Sequence, residues 1–70
     1  MSYPDVILVD GPAIGTWPLP ELYRAKYDAG RLDQRTMTLR WADPVDDTLI
    51  DLYDALGAGW RFRFRESVGR

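Results

Sequence analysis

The chain has 70 residues, a formal net charge of −2, no cysteine and no histidine. That length predicts one domain with a small core, and the missing side chains exclude disulfide staples, zinc clusters and histidine-based catalysis. The negative balance argues against general affinity for a phosphate backbone, and no stretch approaches the roughly 18 apolar residues of a membrane span.

Stability must then rest on aromatics, and there are nine: Tyr3, Trp17, Tyr23, Tyr27, Trp41, Tyr53, Trp60, Phe62 and Phe64. Each can bury about 150–250 Å². The start, Met1 to Asp5, carries no basic leader, and the lack of cysteine suits a reducing compartment, so the expected location is cytoplasmic. Eight arginines stand against one lysine, Lys26, and nine aspartates against Glu21 and Glu66. With Ala and Gly, that bias matches GC-rich codons and an expected bacterial or phage source.

Val6 to Val9 is continuously apolar and predicts a first strand buried on both faces. Asp10-Gly11-Pro12 ends it with turn chemistry. The loop Ala13 to Trp17 is expected to fold Trp17 back as a lid over the core. A helix is predicted from about Leu19 to Ala29, with proline in its first turn and Gly30 as a left-handed cap. Thr36 to Trp41 alternates strictly, with Met37, Leu39 and Trp41 on one face, and predicts a half-buried strand.

A second helix is predicted after Asp43 as N-cap and Pro44 at the first helical position. Val45, Leu49, Leu52, Tyr53 and Leu56 fall at helical spacing, and Gly57 closes the segment. The last strand alternates aromatic and cationic residues for six positions, Trp60 to Arg65. Side chains of a strand alternate faces, so Trp60, Phe62 and Phe64 face the core while Arg61, Arg63 and Arg65 face water.

The expected fold class is therefore α/β: a two-layer sandwich, with a three-stranded sheet covered on one face by two helices. The order is strand, helix, strand, helix, strand. Residues 1–70 form a single domain, with 5–65 as the folded core and 66–70 as a frayed tail. The open sheet face would carry Thr36, Thr38, Arg40, Arg61, Arg63 and Arg65.

The acidic cluster Asp43, Asp46 and Asp47 reads as helix capping rather than a metal site. Asp51 and Asp54 read as solvation of the same helix. Asp10-Gly11-Pro12 with Gly15 matches no phosphate-loop spacing. Ser2 and Ser67 have no histidine to activate them. Lys26 and the tyrosines show no convergence. No catalytic residue, cofactor or metal is expected.

Gly11-Pro12, Glu21-Leu22, Gly30-Arg31-Leu32 and Trp41 are loosely similar, over about half the chain, to bacterial GYF-type adaptor domains. That resemblance implies recognition of proline-rich peptides. The chain departs from the family: the Gly-Tyr-Phe element and the aromatic pair before Gly-Pro are absent.

The sequence thus predicts a small non-catalytic protein-interaction or regulatory module, an accessory protein of a bacterium or its phage. The expected contacts are Arg61, Arg63, Arg65 and Arg40, which would bind an acidic protein partner or a second copy, together with Trp17. Arginine suits planar carboxylate contacts and is enriched at interface hot spots. The competing expectation for the same arginines is a solvated strand face. A second class is nucleic-acid binding through the Thr/Arg face, weakened because the aromatics needed for base stacking alternate to the opposite face. A proline-rich peptide adaptor is the third.

Overall fold

The alternation in the last third of the chain sets the sheet. The computed structural model describes residues 2–70. Its elements are β1 (Asp5–Leu8), β2 (Gly15–Pro18), α1 (Glu21–Asp28), β3 (Thr38–Ala42), β4 (Leu49–Ala55) and β5 (Arg61–Gly69). One five-stranded sheet runs in the order β2-β1-β5-β4-β3. β5 pairs parallel with β1 and antiparallel with β4, and the two outer pairings are antiparallel.

This overturns the expected three-stranded, two-helix sandwich. The sheet is mixed and curls into a half-barrel, and the chain is only 12% helical. The predicted second helix is absent. Its residues form the 43–48 turn and β4. The local chemistry that suggested a helix cap makes a turn here. Asp43 Oδ1 accepts from the Val45 and Asp46 N–H groups, each at 2.8 Å. Asx turns and N-caps use the same hydrogen bonds, and the residues downstream decide between them. Downstream lies Leu49-Ile50-Asp51-Leu52-Tyr53, which pairs on both sides, with β3 and with β5.

Three further corrections concern the strands. The Gly15–Pro18 segment, expected as loop, pairs with β1 as edge strand β2. β1 is buried on one face only: Val6 and Leu8 point inward, while Ile7 and Val9 are exposed. The expected frayed tail is the outer half of β5, where Val68 faces Ile50 and Gly69 faces Leu49.

The core follows from register. Leu39, Tyr53 and Phe64 align across β3, β4 and β5, and Leu8 aligns with Phe62. Val6, Leu8, Ala13, Leu19, Tyr23, Leu39, Tyr53 and Phe62 form the buried cluster. Trp60 and Phe64, expected to be buried beside Phe62, pack on its margin. Trp60 lies before β5 in a left-handed conformation, φ 56°. Gln34 Oε1 holds that bend by accepting from the Gly59 and Trp60 N–H groups, each at 2.9 Å.

Helix α1 is the predicted one, shortened at its start, with Gly30 at φ 69° just beyond it. Tyr23 and Leu19, two residues before the helix, are buried, whereas Leu22 and Tyr27 are exposed. Tyr23 Oη accepts from the Arg40 N–H at 2.7 Å, which ties the helix to the edge of β3. Tyr3, Tyr27 and Trp60 form an aromatic run that anchors its far end, with ring centroids 5.6 and 5.9 Å apart.

The β1–β2 loop is locked to the centre of the sheet. Tyr53 Oη accepts from the Ala13 N–H at 3.0 Å, and Asp10 Oδ1 accepts from the Phe64 N–H at 2.7 Å. Gly11 sits between them at φ 83°, where an added Cβ would lie 2.5 Å from Phe64 Cβ. Gly11→Ala therefore meets both a conformational penalty and a clash. The expected loss exceeds about 1–2 kcal/mol, the left-handed cost alone, measured by urea denaturation. Unchanged stability would show that the loop does not pack on Phe64.

Candidate functional site

The structure divides the sequence-derived contact residues between two places. Arg61, Arg63 and Arg65 project from β5 on the outer face of the sheet. Trp17 and Arg40 meet instead at the seam where the two edge strands of the half-barrel approach each other.

On the outer face, Arg65 is already engaged. Its Nη2 lies 3.1 Å from Asp54 Oδ1, which also accepts from Thr38 Oγ1 at 2.9 Å. Among the described residues, Arg61 and Arg63 have no carboxylate at ion-pair distance. Register sets Arg61 beside Ile7, and exposed Val9 continues that row. A depression of about 380 Å³ lies between β4 and β5, lined by Asp54, Leu56, Arg63 and Arg65 among others. The face is thus cationic at its centre, with exposed Ile7, Val9 and Leu56 as apolar patches. Asp54, expected to solvate a helix, is part of this surface.

At the seam, Trp17 of β2 and Trp41 of β3 bring their ring centroids to 5.9 Å. Trp17 is not a lid over the core. It is 41% exposed, and its Nε1–H donates to the Ala13 carbonyl at 2.7 Å. An apolar cleft of about 260 Å³ opens here, lined by Trp17, Pro18, Leu19, Pro20 and Trp41, with Arg24 and Arg40 on its rim. Arg24 is pre-positioned: its Nε–H donates to the Leu19 carbonyl at 3.1 Å, and its guanidinium lies 5.2 Å from the Tyr3 ring centroid. Sequence reading missed Arg24, Pro18, Pro20 and Trp41 as a group. The one available signal was Trp-Pro-Leu-Pro, an aromatic next to two prolines that cannot continue a ladder.

A third feature was also missed. Asp51, expected on a solvated helix face, is fully buried in β4. Its Oδ1 accepts from Ser67 Oγ at 2.6 Å, and its Oδ2 has no hydrogen-bond partner among the described residues. Burial raises its pKa above the usual carboxylate range. The Ser67 hydroxyl opposes that rise, and the neighbouring Asp43 carboxylate adds to it. Asp43 is held low by the Asp46 and Val45 N–H groups. Asp46 is held low by the Thr48 hydroxyl and N–H. Burial and the Asp43 carboxylate thus both disfavour the ionised form of Asp51. The pair closes the base of the 43–48 turn. Asp43 and Asp46 serve as acceptors within the turn, where the sequence had suggested a helix cap.

No helix among the described residues is long and apolar enough to cross a membrane. Comparisons with protein-family models, curated proteins and solved structures find no match for this chain.

The carboxyl pair makes a pH prediction. A group whose pKa is raised by folding stabilises the fold while protonated, and that contribution is lost as pH climbs through the raised value. Asp43 and Asp46 run the other way: their contributions are present above the ordinary carboxylate range and lost as pH falls through their lowered values. Asp51→Asn keeps the oxygen that accepts from Ser67 and puts a permanent donor toward Asp43. Urea melts across a pH series should show the wild type weakening from acid toward neutral pH where Asp51→Asn does not, with the acid limb retained in both. Equal slopes on the upward side would show that folding does not raise the Asp51 pKa.

Proposed function

We propose that this chain is a small non-catalytic protein-interaction module whose outer sheet face, centred on Arg61 and Arg63, receives an acidic surface of a protein partner. The observation that carries this reading is a pair of guanidiniums on one exposed strand face, without carboxylate partners among the described residues and next to exposed Ile7 and Val9. Free guanidiniums offer planar, bidentate contacts to carboxylates. Flanking aliphatic side chains supply the apolar area that a purely ionic contact lacks. Arg65, neutralised by Asp54, serves as rim rather than centre. Arg40, on β3, lies across β4 from this strip.

The nucleic-acid reading has less support. Phe62 is buried and Phe64 packs on the core, so β5 offers no stacking platform beside its arginines. The net charge of −2 also opposes backbone binding. A reducing, cytoplasmic setting belongs to the proposal, supported by the absence of cysteine.

The test is the double reversal Arg61→Glu with Arg63→Glu. Both side chains are exposed, so the melting curve should stay within about 0.5 kcal/mol of wild type. Partners that copurify with the wild type in low salt should be lost from the variant, and raised salt should weaken them in the wild type, because exposed charges are screened. Retention of every partner by the variant would leave the arginine face as a solvated surface only. Single-stranded RNA bound by the wild type and released by the variant would favour the nucleic-acid reading.

A further inference from the structure

The seam cleft and the 43–48 turn have complementary chemistry. The turn presents Val45, 91% exposed, next to Asp46 and Asp47. It is a stiff presentation. Asp43 Oδ1 accepts two N–H groups, Asp46 Oδ1 accepts from Thr48 N–H at 2.9 Å and from its hydroxyl, and Thr48 O accepts from Arg70 N–H at 3.0 Å. A valine this exposed on an ordered, acidic turn has no function in its own core.

The cleft is the opposite shape and sign. Its floor is Trp17, Trp41 and two prolines, and its rim is Arg24 and Arg40, with no acidic residue among its lining side chains. We propose that two copies of this chain associate by seating Val45 of each in the Trp17–Trp41 cleft of the other, with Asp46 and Asp47 facing Arg24 and Arg40. Cleft and turn are close in the chain, since Trp41 and Asp43 are separated by a single residue. Self-complementary patches that lie next to each other can be engaged reciprocally across a two-fold axis, which closes the assembly at two copies. The contact uses neither Arg61 nor Arg63, so it stands or falls separately from the acidic-partner reading.

Such an interface is small and belongs to the weak class. Sedimentation equilibrium from micromolar to millimolar protein in low salt should show the mass rising from one chain toward two. Val45→Asp should remain monomeric over the same range with an unchanged circular dichroism spectrum, since the side chain packs on nothing. Arg40→Glu and Asp47→Arg should each be monomeric alone and should form a mixed dimer when combined, because the swap restores opposite charges at both contacts. A wild type that stays monomeric throughout would overturn the proposal, including the case in which the cleft takes an acidic peptide from another protein. So would association that survives Val45→Asp, association lost only on reversal of Arg61 and Arg63, or growth beyond two copies.

Discussion

The structure depends on one strand whose two faces cannot be exchanged. β5 is hydrogen-bonded on both sides, to β1 and to β4. Phe62 is fully buried on one face, and Arg61 and Arg63 stand in water on the other. A slip of one residue would bring guanidiniums into the core and expose the aromatics. The cost of burying unpaired cations far exceeds what a domain of this size can lose. Register is therefore fixed at β5, and its neighbours inherit it. Val6 and Leu8 face inward on β1, as do Tyr53 on β4 and Leu39 on β3. The irregularity opposite Leu52 and Tyr53 adds one residue to β5, so Arg65 and Glu66 follow each other without disturbing the Tyr53–Phe64 pairing.

A curled sheet with so small a core must still manage its two edges. Here β2 and β3 are not joined by a ladder. They are bridged by the Trp17–Trp41 contact and by α1, whose Tyr23 hydroxyl occupies the free N–H of Arg40. Edge strands with open backbone invite pairing with other chains, and covering them with aromatics and a helix limits that. The same solution leaves an apolar cleft at the seam, where Trp17 stays partly exposed. Folding and surface chemistry are linked at that point: the residues that close the half-barrel are the ones that give the cleft its floor.

Single elements were legible in the sequence, but the five-stranded half-barrel was not. The arginine-aromatic alternation identified β5, its core-facing Phe62 and its solvent-facing arginines. The strand expected over Thr36 to Trp41 is β3, Thr38–Ala42, and the helix expected from about Leu19 to Ala29 is α1, Glu21–Asp28. The misreading of 43–57 has a physical origin. Val45, Leu49, Leu52, Tyr53 and Leu56 fit helical spacing, yet Leu49 to Tyr53 is also a short apolar run of strand length. Period alone cannot separate the two. Pairing on both sides decided it, and pairing partners are not written locally. The buried Asp51 fits neither pattern, and its one recorded side-chain partner, the Ser67 hydroxyl, comes from β5. β2 carried two residues, Gly15 and Pro18, that are poor strand formers, and it exists because β1 offers it an edge. For the site, Arg61 and Arg63 were legible as a face. Arg24 and Trp41 were not, because curvature of the sheet, and no sequence spacing, brings them to Trp17.

The half-barrel requires β4 to be a strand held between β3 and β5, with β5 at the centre of the sheet. Nuclear Overhauser contacts in solution address this directly. A central β5 predicts cross-strand contacts from Tyr53 to both Leu39 and Phe64, and from Leu8 to Phe62. It also predicts slow amide exchange at Ile7 and Val9, whose N–H groups are accepted by Trp60 and Phe62 at 2.8 and 3.0 Å. Sequential amide-to-amide contacts running from Val45 to Leu56, the signature of a helix, would contradict it.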